Sequence, residues 1–109
     1  MDFVSIIKRW FEETWGGSLL LPDGWYGRPF DNQHVLTAVE ESDGVVTLTL
    51  DGRLALRLEG LSNVERDGNE LVLGPCDKVR LDWRDLGTNN IGGSKEYDGG
   101  IVKFVSHPG

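Results

Sequence analysis

The apolar positions at the start of the chain recur at helical spacing. Phe3, Ile6, Ile7, Trp10, Phe11 and Thr14 fall on one continuous stripe, and Lys8, Arg9, Glu12 and Glu13 lie off it. This spacing predicts an amphipathic helix over residues 3–15. Asp2 is placed to cap its N-terminus, and Gly16-Gly17 can end it, because glycine tolerates the left-handed backbone needed there.

From Ser18 onward the period changes to two. Asp-Gly recurs at 23–24, 43–44, 51–52, 67–68 and 98–99. Between alternating runs this dipeptide signals a hairpin, since both residues accept positive φ. The pattern predicts strands at 18–21, 34–42, 45–51, 53–59, 70–73, 78–84 and 100–106. Val46, Leu48 and Leu50 share one face, as do Leu54, Leu56 and Leu58, and Val79, Leu81 and Trp83; polar residues alternate with each set. A sheet with one apolar face must cover it, and the helix or a curled sheet provides the cover. The expected fold is α+β and mostly β. It is an antiparallel meander curled into a barrel or roll of about 6–7 strands, with one N-terminal helix packed on it and sequential strands pairing. One domain spans 1–109, with the helix at 3–15, the meander at 18–106 and a tail at 107–109. Pro22–Gln33 and Asp85–Gly99 read as long irregular segments, and loops of that length are often functional.

Composition narrows the partners. A chain of 109 residues supports one core, and 39% hydrophobic with 27% charged residues is a globular balance. No apolar run approaches the roughly 18 residues that cross a bilayer, and the first fifteen residues carry charges through their apolar positions, unlike a signal peptide. Cys76 is the only cysteine, which excludes an internal disulfide and suits a reducing, cytoplasmic location. The net charge of −7 repels a phosphate backbone, and the Lys and Arg residues do not cluster. Neither nucleic acid nor membrane is an expected partner. The acidic surface suits a basic protein partner, or simply solubility. A monomer and a homodimer are both compatible.

The densest chemistry is WYGRPFDNQH, Trp25 to His34. Gly24 and Gly27 allow sharp bends, and Pro29 stiffens the segment. Arg28 is a fork-shaped donor for carboxylate or phosphate. Trp25 and Tyr26 supply stacking area, and Asp31, Asn32 and His34 supply hydrogen bonds. An Arg28–Asp31 ion pair that locks the loop is a structural alternative, with Trp25, Tyr26 and Phe30 plugging one end of the fold. A catalytic reading makes His34 a general base oriented by Asp31. It lacks a nucleophile or metal, so no residue is assigned as catalytic.

Cys76 has Lys78 near in sequence to lower its pKa, yet a free Cys beginning a strand is more commonly a small packed residue. His34 and His107 are the only histidines, and no HxH, HExxH or paired CxxC occurs, so neither metal nor cofactor is expected. EESD at 40–43 lacks calcium-loop spacing and reads as a hairpin shoulder. GTNNIGGSKEYDGG can form an anion nest but departs from the phosphate-loop pattern. The apolar stripe of the helix can dock a partner, although covering the sheet is the simpler use.

The box formed by Trp25, Tyr26, Gly27, Arg28, Pro29, Asp31, Asn32 and His34, followed by an alternating strand and a VVTLTLDG hairpin, resembles a group of small uncharacterised bacterial proteins. Those proteins share a Trp-aromatic-Gly-Arg-Pro-x-Asp-Asn-x-His box ahead of a β-meander. The resemblance covers about residues 25–60 and implies a bacterial origin and a β fold, but no activity. The leading functional expectation is a non-enzymatic intracellular binding module for a small ligand or protein. Its site is the mouth between the 22–34 and 85–99 loops, with Trp25, Tyr26, Arg28, Asp31, Asn32 and His34 binding. An acidic inhibitor or immunity-type protein that holds a basic partner is the alternative, and a small hydrolase or isomerase using His34 and Asp31 is a third.

Overall fold

The computed structural model describes residues 2–26, 33–85 and 90–106; for residues 84–85 and 90–92 only the backbone is described. Helix α1 covers Phe3–Thr14. Asp2 caps it as expected: one carboxylate oxygen accepts the Ser5 N–H at 3.2 Å and the other accepts the Ser5 hydroxyl at 2.5 Å. Ile7, Trp10 and Phe11 are buried, with Phe3 and Ile6 packed at the margin of the core. The helix stops one residue earlier than the glycines suggest. Trp15 itself adopts the left-handed conformation (φ 66°), and its N–H donates to the Phe11 carbonyl.

The strands are β1 (Ser18–Leu21), β2 (Gly24–Trp25), β3 (Leu36–Ser42), β4 (Val45–Leu50), β5 (Leu54–Glu59), β6 (Val64–Asp67), β7 (Glu70–Cys76), β8 (Lys78–Asp85), β9 (Asn90–Tyr97) and β10 (Gly100–Val105). They form two antiparallel five-stranded sheets, ordered β2-β1-β10-β7-β6 and β3-β4-β5-β8-β9. The fold is therefore mostly β with one helix, as expected, but no closed barrel forms among the described residues. Asp43-Gly44 and Asp51-Gly52 form the tips of the β3–β4 and β4–β5 hairpins, with positive φ at both residues of each.

The pairing departs from a simple meander in one place. β7–β8 and β9–β10 are the two arms of a single long hairpin. Val105 to Gly100 run against Glu70 to Cys76, and Tyr97 to Asn90 run against Val79 to Asp85, in nearly constant register. Each arm leaves one sheet and joins the other, at Cys76-Asp77-Lys78 and at Tyr97–Gly100. Asp98-Gly99 is thus a bend within an arm, not a hairpin tip. This arrangement resembles packed sheets joined by strands that turn a corner. It places non-sequential strands together, β1 with β10 and β5 with β8.

The expected irregular segment at 85–99 is also corrected. Residues 90–97, NIGGSKEY, form β9 because β8 presents a paired edge to them, in spite of poor strand composition. Gly93 allows this pairing where it crosses Trp83: a Cβ there would lie 2.7 Å from the indole.

The core lies between the sheets. Val46, Leu48, Leu50, Leu54, Leu56, Leu58, Val79 and Leu81 line one side, and Leu19, Leu21, Leu71, Leu73, Val102 and Phe104 the other. The alternation read from the sequence selects these residues. α1 contacts β3 and β6, the outer strands of the two sheets, and so closes one side. Trp10, Phe11 and Phe104 form an aromatic cluster there, with Phe11 at 5.0 Å from each of the other two rings. Gly17 leaves room for the Trp10 ring, whose nearest atom would lie 2.9 Å from a Cβ at that position.

Candidate functional site

The segment that follows Gln33 is held from two sides. His34 and Gly17 exchange backbone hydrogen bonds, His34 N–H to Gly17 O at 2.8 Å and Gly17 N–H to His34 O at 3.2 Å. This ties the exit of α1 to the run into β3. From the other side comes Asp51, at the tip of the β4–β5 hairpin. One carboxylate oxygen is 2.7 Å from His34 Nδ1, the other accepts the Val35 N–H at 2.9 Å, and the Asp51 N–H donates to Val35 O at 2.9 Å. The neighbouring Gly52 N–H donates to Thr37 Oγ1 at 2.8 Å, beside the bulge between Leu36 and Ala38.

A carboxylate only accepts, so His34 Nδ1 carries a hydrogen and donates it to Asp51. His34 is 4% exposed, and Nε2 has no partner among the described residues. The Tyr26 ring lies 5.8 Å from the imidazole and 5.9 Å from the Trp83 indole, so it sits between the two. The Tyr26 N–H donates to Leu19 O at 2.9 Å, which fixes the backbone at the end of the β1–β2 turn. Burial raises the Tyr26 phenol above its ordinary pKa; the Arg53 charge opposes this and the Asp51 charge adds to it. Trp25, paired with Leu20, is 42% exposed.

Of the residues expected to make the site, Trp25, Tyr26 and His34 are described, and Tyr26 and His34 are together. Arg28, Asp31 and Asn32 lie outside the described residues. The carboxylate beside the imidazole Nδ1 among the described residues is that of Asp51. The Asp51-Gly52 signal marks the turn correctly, and a side chain at a hairpin tip is free to reach a neighbouring segment. Sequence alone could not identify which segment, because seventeen residues separate Asp51 from His34. Trp83 also joins the site, through pairing of β5 with β8, which local pattern does not encode, and the Arg53 charge that acts on Tyr26 comes from the residue after the Asp51-Gly52 tip. The expected mouth between two loops is changed as well, since β9 occupies most of 85–99.

Cys76 is a packed residue. It is buried, and burial together with the Asp77 charge pushes its thiol up to about 11, opposite to activation by Lys78. Among the described residues no group of three or more His, Cys, Asp or Glu is arranged to hold a metal ion, and no helix is long and apolar enough to cross a membrane. Comparison with protein-family models, with curated proteins and with solved structures finds no match for this chain.

Proposed function

We propose that the protein is a non-enzymatic, intracellular binding module whose recognition surface is the Trp25–His34 segment. The observation that supports this reading most is the contrast between two adjacent aromatics. Tyr26 is anchored between His34 and Trp83, and Trp25 beside it is offered to solvent. An exposed indole on a fixed backbone provides contact area at small entropic cost, which is what a preorganised recognition site needs. Arg28 supplies the charge-paired anchor for an anionic or carbonyl group. Binding is favoured over turnover because the His34 ring is enclosed, with Nδ1 committed to Asp51 and Nε2 shielded from solvent.

The test uses isotope-labelled protein titrated with benzoate, acetate and inorganic phosphate. The expected result is perturbation of the Trp25 indole N–H and the Tyr26 amide by at least one of these anions, abolished in Arg28→Ala and retained in Arg66→Ala. No response at Trp25 and Tyr26, or a response that survives Arg28→Ala, would remove the proposal.

A further inference from the structure

β3 is the outer strand of its sheet, and among the described residues it pairs only with β4. Alternate N–H and C=O groups of such a strand point away from its neighbour, ready for another strand. A groove of about 400 Å³ runs beside it, lined by Lys8, Phe11 and Glu12 of α1 and by the consecutive residues Val35 to Val39. Successive strand residues face opposite sides of a sheet. The groove touches Val35, just before the strand, and Leu36 to Val39 across the bulge between Leu36 and Ala38, so it follows the first half of β3. Helix on one side and unpaired edge on the other is the geometry in which an extended peptide adds as a further strand.

The charges select the occupant. Beyond the groove come Glu40 and Glu41, both exposed, and then Asp43 at the hairpin tip. Glu41 lies opposite Val46 and Glu40 opposite Thr47, so the two carboxylates project to opposite faces of the sheet. Glu12 adds a third carboxylate on the helix side, and Lys8 is the one cation among the groove residues. Among the described residues none of these carboxylates has an ion-pair partner. A second copy of this chain would bring another acidic edge to the same place, and the net charge of −7 adds to that repulsion. An incoming strand with Lys or Arg would meet a carboxylate on whichever face its side chains point.

We propose that the β3 edge and the α1–β3 groove take a basic, extended peptide segment by strand addition, with apolar side chains against Phe11, Leu36 and Val39 and cationic ones against Glu40 and Glu41. This surface is separate from the Trp25 surface and does not depend on it.

The experiment titrates the labelled full chain with an acetylated, amidated heptapeptide alternating Val and Lys. The expected result is shift and slowed hydrogen exchange confined to amides of residues 35–42. Affinity should fall about tenfold or more when salt rises from roughly 50 to 300 mM, and by a similar factor in Glu40→Gln/Glu41→Gln, exposed positions at which folding is checked by the melting curve. The same peptide with Glu in place of Lys should not bind. Four results would each overturn the proposal: no response at 35–42 at millimolar peptide, equal binding of the Glu peptide, unchanged affinity in the double variant, or a response centred on β2, β6 or β9. Concentration-dependent protection of β3 without peptide would assign the edge to a second copy and equally overturn it.

Discussion

Asp51 grips His34 and Val35 with the two oxygens of one carboxylate, at 2.7 Å from the imidazole Nδ1 and 2.9 Å from the Val35 N–H. Through this contact a hairpin tip becomes the support of the segment that leads into β3. The same residue holds the imidazole by its Nδ1–H and so fixes the ring with Nε2 enclosed.

The clamp has a measurable worth. Asparagine at position 51 tolerates the left-handed backbone found there (φ 56°) and retains one oxygen for Val35, but it lacks the second acceptor for Nδ1–H. Asp51→Asn should therefore cost about 1–3 kcal/mol, the penalty for an enclosed group left unsatisfied. For a chain of this size each kilocalorie corresponds to about 4–8 °C in melting temperature. Calorimetric melting checks this; an unchanged transition would mean that the imidazole is held without the carboxylate.

Tyr97 gives a pH dependence with a defined sign. Its hydroxyl donates to Asp23 at 2.8 Å, joining β9 to the β1–β2 turn. Burial, the hydrogen bond and the Asp23 charge push its pKa up to about 12. The unfolded phenol ionises near 10 and the folded one does not, so the contribution is complete below about pH 10 and is lost as pH rises toward 12. Urea unfolding at pH 9 and pH 11 should show a fall in stability that is shallower in Tyr97→Phe. An equally steep fall in the variant would place the effect on other groups, Tyr26 and Cys76 among them.

Gly93 should be intolerant of the smallest change. A methyl group would meet the Trp83 indole at 2.7 Å, and Trp83 in turn supports Tyr26. Gly93→Ala should destabilise the fold by about 1–3 kcal/mol and alter the intrinsic tryptophan fluorescence of the folded protein. A variant with native melting and native emission would show that the indole has room to move aside.

These residues also show how far the sequence could be read. The apolar stripe of α1, the alternating faces of β4, β5 and β8, and the Asp43-Gly44 and Asp51-Gly52 tips were legible because each is set by neighbours within a turn or a hairpin. β9 was not legible, since Asn90, Gly92, Gly93 and Ser94 favour a loop and only pairing with β8 makes them a strand. The short β2 and β6 were missed for a similar reason: each is held by one partner strand more than by its own composition. At the candidate site Tyr26 and His34 could be picked out as chemistry in a dense box. Asp51, Arg53 and Trp83 could not, because hairpin tips and strand pairing bring them there from distant parts of the chain.

Trp15 offers the sharpest separation of stability from function. It is 84% exposed and holds a left-handed backbone (φ 66°) that disfavours any residue with a Cβ. Its side chain gains little from burial, while glycine would adopt the same helix-terminating conformation without that penalty. Trp15→Gly should thus raise stability by about 0.5–1 kcal/mol after the greater freedom of the unfolded chain is counted, seen as a higher melting temperature. An exposed indole carried at a cost to the backbone calls for a use outside folding. Its position is near the candidate site, because Gly17, two residues on, bridges His34, whose ring lies 5.8 Å from that of Tyr26, the neighbour of Trp25. If Trp15→Gly melts higher and the Trp25 response to anions also weakens, both indoles serve one recognition surface. If it melts lower, the ring packs against the protein, and its role is structural.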